Sequence, residues 1–301
     1  MSADHPQGWI WQPDEVESYV ATLDRPVFGV SATDLTDSGK GKTVLLYQAQ
    51  LKVAGFVPNR RQTVGDCVSQ AAACCIDTLK AVEIYTEGQN EEWRNVTATE
   101  PLYAYSRVEV GGGRLGNGDG SIGAWMAKAV KQGGTIDRGK YGNIDLSTYS
   151  GKRARDWGRR GKGCPDSLEP SMRNHPIRTT SLITSYEECR DAIANGYPAN
   201  ICSRQGFSKR RDSQGFAKPS GTWAHAMAAI GCRDDGRPGI LIQNSWGGWN
   251  SGGKWPDNDM PTGSFWVDAD VIDKMCRSMR DSFVYSDFEG YPAKDVSYLL
   301  I

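Results

Sequence analysis

The stretch Arg61-Gln62-Thr63-Val64-Gly65-Asp66-Cys67-Val68-Ser69-Gln70-Ala71-Ala72-Ala73 decides how the rest of the chain is read. It reads as a short glycine-containing loop that delivers a cysteine onto the first turn of a helix. Asp66 is the predicted N-cap, its side-chain oxygen being able to accept an unpaired amide hydrogen of that turn. Val68, Ala72, Cys75, Leu79 and Val82 then recur at helical spacing, giving one apolar face through about Tyr85. The Ala71–Ala73 run lets a neighbour pack closely. A thiol at a helix N-terminus sees the positive end of the macrodipole, which favours thiolate. The competing reading is a small core residue at the start of a buried helix, because free cysteine is among the most buried residue types. Downstream features choose between them.

The 301 residues suffice for one large domain or two lobes with an ample core. Lys plus Arg number 35 against 36 Asp plus Glu, which argues against a chain held to nucleic acid by bulk charge. No apolar run approaches the roughly 18 residues of a membrane span. Met1–Gln7 has neither a basic leader nor an apolar signal core, so a cytoplasmic protein without a membrane partner is expected. The eight cysteines follow no regular framework and include no CxxC pair of zinc-ligand type. Reduced thiols are therefore expected, with no metal and no cofactor. Only three histidines exist, His5, His175 and His225, so a histidine-dependent mechanism has a short candidate list.

Along the chain, residues 1–45 form an N-terminal extension with a predicted helix near Glu15–Leu23. Ser38-Gly39-Lys40-Gly41-Lys42-Thr43 superficially resembles a phosphate loop, but Thr36 stands where the first glycine is required, and Val44–Tyr47 reads as a strand. A nucleotide site is rejected. A second helix starts at Thr99, a predicted cap, with Pro101 in its first turn. The loop Gly111–Gly120 is too glycine-rich to be regular, and Ser121 is the predicted cap of a helix over Ile122–Gln132. Six basic residues between Gly151 and Lys162 read as a solvated loop. Tyr186–Asn195 reads as helix. Strands are predicted at Ala199–Ser203, Ala226–Cys232, Gly239–Gln243 and Ser264–Val267. A helical first half before a strand-rich second half implies an α+β architecture of two lobes.

His225 enters an apolar strand, Ala226-Met227-Ala228-Ala229-Ile230-Gly231. Another apolar strand, Ile240-Leu241-Ile242-Gln243, ends in Asn244-Ser245-Trp246-Gly247. Two neighbouring antiparallel strands can set Asn244 beside His225, where a neutral amide fixes the imidazole tautomer by hydrogen bond.

Three blocks, Gln62–Ala73, Ala224-His225-Ala226 and Asn244-Ser245-Trp246-Gly247, stand in the order in which a papain-like cysteine peptidase carries its glutamine–cysteine, histidine and asparagine blocks. The chain resembles that family over roughly residues 58–270, and Asn117–Gly134 resembles its glycine loop and following helix. The resemblance implies a papain-like fold of helical lobe plus antiparallel β-barrel-like lobe. It makes Cys67 the nucleophile, His225 the base and then acid, Asn244 the orienting amide and Trp246 its shield. Gln62 and the Cys67 amide would form the oxyanion hole. Gly118 and Gly120 would pair with an extended substrate backbone. Departures from the family pattern are visible. Gln62 stands five residues before Cys67 where the family usually has six, and Val68 replaces the usual tryptophan. Asp66 places negative charge beside the thiol. The Lys254–Thr262 insertion follows the asparagine block, and no long inhibitory propeptide is legible ahead of the core.

The reading is a metal-independent cysteine peptidase acting on polypeptide. The organisation expected is an extension over 1–45, a catalytic unit over 46–285 divided near residue 165, and a tail over 286–301. Two alternatives keep the fold: a hydrolase or amidase of cell-wall peptide stems, and a catalytically weak component of a virion or other larger assembly.

Overall fold

The helical periodicity that begins at Val68 folds as one 21-residue helix, Cys67–Glu87, around which the remaining elements are placed. The structure, a computed structural model, describes residues 5–87, 92–175, 177–256 and 259–299. Among them the helices are α1 (Pro13–Val20), α2 (Phe28–Ser31), α3 (Tyr47–Ala54), α4 (Cys67–Glu87), α5 (Thr99–Tyr105), α6 (Gly123–Gln132), α7 (Gly151–Trp157), α8 (Glu169–Met172), α9 (Tyr186–Ala194) and α10 (Ala269–Met279). The strands are β1 (Thr43–Leu45), β2 (Lys140–Tyr141), β3 (Ile144–Asp145), β4 (Thr179–Leu182), β5 (Ala199–Arg211), β6 (Ala217–Arg233), β7 (Gly239–Gln243), β8 (Ser251–Gly252), β9 (Ser264–Asp268) and β10 (Phe283–Ser286).

An eight-stranded sheet runs β4-β10-β5-β6-β7-β9, with β1 added to β6 and β8 to β5; only the β5–β8 pairing is parallel. The N-terminal half of the chain supplies most of the helices and the second half most of the sheet, so the α+β class and papain-like architecture expected from the sequence are what the chain adopts. Helix α4 packs on β5 and β6. Its residues Val68, Ala72, Cys75, Leu79 and Val82 are all buried, and Val68, Leu79 and Val82 each contribute about 1.5–3 kcal/mol by leaving water. The small residues Ala71–Ala73 are buried too, so the backbone of α4 can lie close to its neighbours.

Residues set apart in the sequence as an extension enter the same core. Trp9, Val16, Tyr19, Phe28 and Leu35 belong to its main cluster, and β1 pairs Thr43 with Arg233 and Leu45 with Gly231. The strand expected to reach Tyr47 stops at Leu45, and Tyr47 opens α3. At the other end Tyr291, Val296 and Leu299 return to the core.

Other local expectations are corrected by tertiary partners. Helix α6 is not capped by Ser121: the buried Asp281 carboxylate accepts the N–H groups of Gly123 (2.8 Å) and Ala124 (2.7 Å). Thr99 lies inside the first turn of α5 and Ala98 takes the cap position. Part of the basic run folds as α7, started by Ser150, whose hydroxyl accepts the Arg153 amide. The glycine loop is held from within by buried Arg107, which donates to the carbonyls of Gly116 (3.1 Å), Gly118 (2.5 Å), Gly120 and Gly158 (2.7 Å). A single cation thus satisfies carbonyls that irregular backbone leaves unpaired. Strands β5 and β6 run well beyond the apolar segments legible in the sequence, as a bulged hairpin exposed over residues 218–222 but buried again where Arg211 pairs with Ala217. Of the Lys254–Thr262 insertion, 257 and 258 lie outside the described residues.

Candidate active site

Strand pairing brings the polar residues of the second half together. In the β6–β7 ladder Ala228 faces Gln243, so Asn244, the next residue, emerges beside the part of β6 that carries His225. Nε2 of His225 lies 2.9 Å from Oδ1 of Asn244. That oxygen also accepts the Ser245 amide at 2.7 Å. A backbone N–H can only donate, so the atom is the carbonyl oxygen of the amide and Nε2 must carry the imidazole proton. Nδ1 is left with its lone pair, buried and with no hydrogen-bond partner, as is Nδ2 of Asn244. The indole of Trp246 stacks on the His225 ring at 4.3 Å between centroids.

Cys67 begins α4, which packs across β6, and the backbone amides of Ala226, Gly8 and Val68 favour its thiolate while burial acts against it. The helix of the nucleophile candidate therefore lies against the strand that carries His225. No hydrogen bond joins Sγ directly to the imidazole among the described residues. Both side chains are fully buried. Burial pushes the Cys67 thiol up to about 12, with Asp66 adding to the rise, and lowers the His225 imidazole to about 4, Asn244 opposing and His5 assisting that fall. The thiolate expected from the helix dipole is not the form present here: desolvation outweighs the dipole, and the pair is neutral.

Asp66 also departs from expectation. Its backbone carbonyl starts the helix by accepting from Ser69 and Gln70, but its carboxylate takes the Gln70 side-chain amide at 2.9 Å in place of a backbone cap. Burial raises this carboxyl to about 7, which weakens the charge it sets beside the thiol.

Gln62 reaches the site despite its shortened spacing, because the loop before Cys67 is annealed to the asparagine block. Gln62 N donates to Ser245 O (2.9 Å), Gly247 N to Arg60 O (2.9 Å), and Arg61 bridges Trp246. The Ser245 hydroxyl then holds Oε1 of Gln62 at 2.5 Å, and Nε2 turns to the carbonyls of Val64 and Pro6, 3.0 Å from each. Trp246 Nε1 donates to the same Pro6 oxygen at 3.0 Å.

Gly118 and Gly120 are placed differently from the resemblance. Gly118 is exposed, and both its carbonyl and that of Gly120 are taken by Arg107. The Gly120 amide donates to the Tyr103 hydroxyl. Backbone pairing falls one residue later, at Ser121, whose N–H donates to Gly8 O (2.8 Å) and whose carbonyl accepts Ile10 N (2.9 Å). Gly120 borders the crevice by being small: at φ +115, a Cβ there would meet Ile10 Cδ1 at 2.7 Å and Gly8 O at 2.9 Å.

Beside the His225–Trp246 stack opens a cavity of about 620 Å³ lined by Phe207, Trp223, Trp246, Trp249, His5 and Gln7, among others. The indoles of Trp223 and Trp249 pack edge-on against Trp246. Sequence reading named Trp246 but missed the rest of this aromatic wall, the contacts made by Ser245 and Ser121, Asp281, and the segment from His5 to Ile10. Only the tryptophans carried a signal, their clustering around His225 and Asn244.

The fold is that of papain-like cysteine proteases. It is similar to xylellain, a cysteine protease from Xylella fastidiosa, with a TM-score of 0.54 at 16% identity over 95% of this chain and 93% of that one. Procathepsin B S9 from Trypanosoma congolense aligns with a TM-score of 0.52 at 12% identity over 93% of this chain and 85% of that one. Bromelain from Ananas comosus, solved with the E64 inhibitor, gives 0.50 at 14% identity over 81% of this chain and 98% of that one. No protein-family model and no curated protein sequence matches the chain.

Proposed function

We propose that the chain is a cysteine-dependent hydrolase of peptide bonds. A fold alone does not fix an activity. The observation that carries the reading is the 2.9 Å bond from His225 Nε2 to Asn244 Oδ1, which leaves Nδ1 with an unused lone pair on the strand against which the helix of Cys67 packs. In this reading Sγ of Cys67 attacks the substrate carbonyl carbon while its proton passes to Nδ1 of His225. The carbonyl oxygen becomes an oxyanion facing Gln62 Nε2 and the Cys67 amide, one of the first N–H groups of a helix and so without an intrahelical acceptor. The carbon–nitrogen bond breaks as His225 returns the proton to the leaving amine, and water then hydrolyses the thioester with His225 again as base. Gln62 already donating to a peptide carbonyl, that of Pro6, supports its part.

The aromatic cavity favours a polypeptide carrying an apolar or planar side chain next to the bond cut. Hydrolysis of casein and of quenched-fluorescent peptides, with Cys67→Ala as control, is the test. Activity surviving in Cys67→Ala would sink the proposal, and clearing of a peptidoglycan suspension without casein hydrolysis would move the substrate to cell-wall peptide stems. The complete burial of Cys67 favours a second reading, an inert scaffold within a larger assembly. That reading requires Cys67 to resist an epoxide inhibitor in every state of the protein.

A further inference from the structure

A second cavity, of about 320 Å³, is lined by Asn59, Arg60, Arg61, Gln70, Arg138 and Tyr149, among others, and shares no wall residue with the aromatic cavity. Its three guanidiniums are committed to different degrees. Arg60 is only 8% exposed; Nη1 and Nη2 go to Thr97 O, Nη2 also to Asp77, and Nε has no hydrogen-bond partner. Arg138 gives Nη1 and Nη2 to Glu100, Leu146 O and Thr99, which leaves its Nε. Arg61 is exposed and makes no ion pair among the described residues. Its stem lies along Gly247, where a Cβ would stand 3.6 Å from Arg61 Cδ. A buried guanidinium N–H without an acceptor calls for an ion or a water to complete it.

The charges around the cavity favour an ion. Asp77 and Glu100, the carboxylates that answer Arg60 and Arg138, are each shared with a further cation: Lys80 reaches Asp77 at 3.7 Å and Arg153 reaches Glu100 at 3.5 Å. The Asp66 carboxyl, bonded to Gln70, is raised to about 7 by burial and adds only part of a negative charge at neutral pH. The wall therefore keeps a positive surplus, with Arg61 unanswered. Guanidinium forks match the geometry of oxyanions and bind phosphate through paired N–H groups.

We propose that this cavity binds a phosphate group, carried as the free ion or on a small ester, and that its occupant holds the loop bearing Gln62 in place. The second part follows from the main chain. Arg60 O accepts Gly247 N (2.9 Å), Arg61 bridges Trp246, and Gln62 N donates to Ser245 O (2.9 Å). A ligand tying Arg60 and Arg61 to Arg138 cross-links this loop to the segment that follows α6. Both parts stand whether or not the crevice hydrolyses peptides.

The test is calorimetric titration of the full chain with inorganic phosphate and with glycerol phosphate, at an ionic strength fixed with chloride. Saturable binding to a single site is expected. Asn59→Asp sets a carboxylate at an exposed position of the wall without touching either buried ion pair, and Arg61→Gln removes the unanswered cation. Each should weaken binding by about tenfold or more, the loss expected for one charge-assisted hydrogen bond. Amide hydrogen exchange at Gln62 and Gly247 should slow when phosphate is added to the unaltered chain, and not in Asn59→Asp. Tighter binding of the ester assigns the site to an ester, and equal affinity assigns it to the free ion. No saturable heat beyond that of chloride, or an affinity unchanged in both variants, would overturn the site. Exchange that ignores bound phosphate would overturn its hold on the loop.

Discussion

Asn244 fixes the proton on His225: its Oδ1 accepts both Nε2 of the imidazole at 2.9 Å and the Ser245 amide at 2.7 Å, so the ring can present only a bare Nδ1 to the rest of the site. Replacing Asn244 by Ala frees the ring to take the other tautomer. General acid–base assistance is worth typically about 10²–10⁴ in rate, so kcat should fall by about 10²-fold in Asn244→Ala, with KM little changed. A steady-state kcat and KM pair checks it. A change confined to KM would count against the orienting role.

Gln62 should matter in the transition state more than in substrate binding. Gln62→Ala removes the side-chain donor that now holds the Pro6 carbonyl. Losing one such donor typically costs about 10²–10³ in kcat. Stability should drop by about 1–3 kcal/mol, from the lost bonds to Ser245, Val64 and Pro6. Parallel urea melts and kinetics separate the two effects.

His225 makes stability depend on pH in a definite direction. Burial lowers its folded pKa to about 4, against about 6.5 unfolded. The unfolded chain therefore binds the proton first: the contribution of neutral His225 is fully present above pH 6.5 and is lost as pH falls through 4. The loss is on the order of 3 kcal/mol. Asp66 and Asp281, both raised to about 7 by burial, act oppositely, stabilising at low pH and losing that contribution as pH rises through 7. The difference in unfolding free energy between the native chain and His225→Gln isolates the histidine, and it should shift against the native chain between pH 7 and pH 4. A difference independent of pH would refute the assignment.

Asp281 joins three donors, Trp9 Nε1 and the amides of Gly123 and Ala124. Asp281→Ala leaves all three buried without an acceptor, at about 1–3 kcal/mol each. A loss of at least about 3 kcal/mol is expected in chemical denaturation. Trp9→Phe, which removes one donor and keeps the ring, should cost less.

The parts of the site legible in the sequence were those carried by side-chain type within a local pattern. Cys67 opening an apolar helix, and His225 and Asn244 on two strands that alternation lets pair, fall in this group. Gln62 could not be placed by counting, because its reach is set by the annealing of Arg60–Gln62 to Ser245–Gly247, a contact between distant segments. The ionisation of Cys67 was misjudged for a similar reason. A helix dipole is local and readable, but desolvation depends on what lies on top, and that is a stretch of mostly backbone contacts from residues 5–10. Gly118 and Gly120 were assigned to substrate pairing, while the internal cation that occupies their carbonyls, Arg107, gives no such signal from its own neighbours. The long β5–β6 hairpin escaped notice because its outer half has no continuous apolar run, only isolated buried residues such as Phe207 and Ala217 among polar ones.

All eight cysteines are free and buried. A colorimetric sulfhydryl count on the native protein should therefore begin near zero and reach eight only in denaturant. The first equivalent to react under native conditions then reports local opening of the fold, and mapping the alkylated peptide shows around which of the eight it occurs.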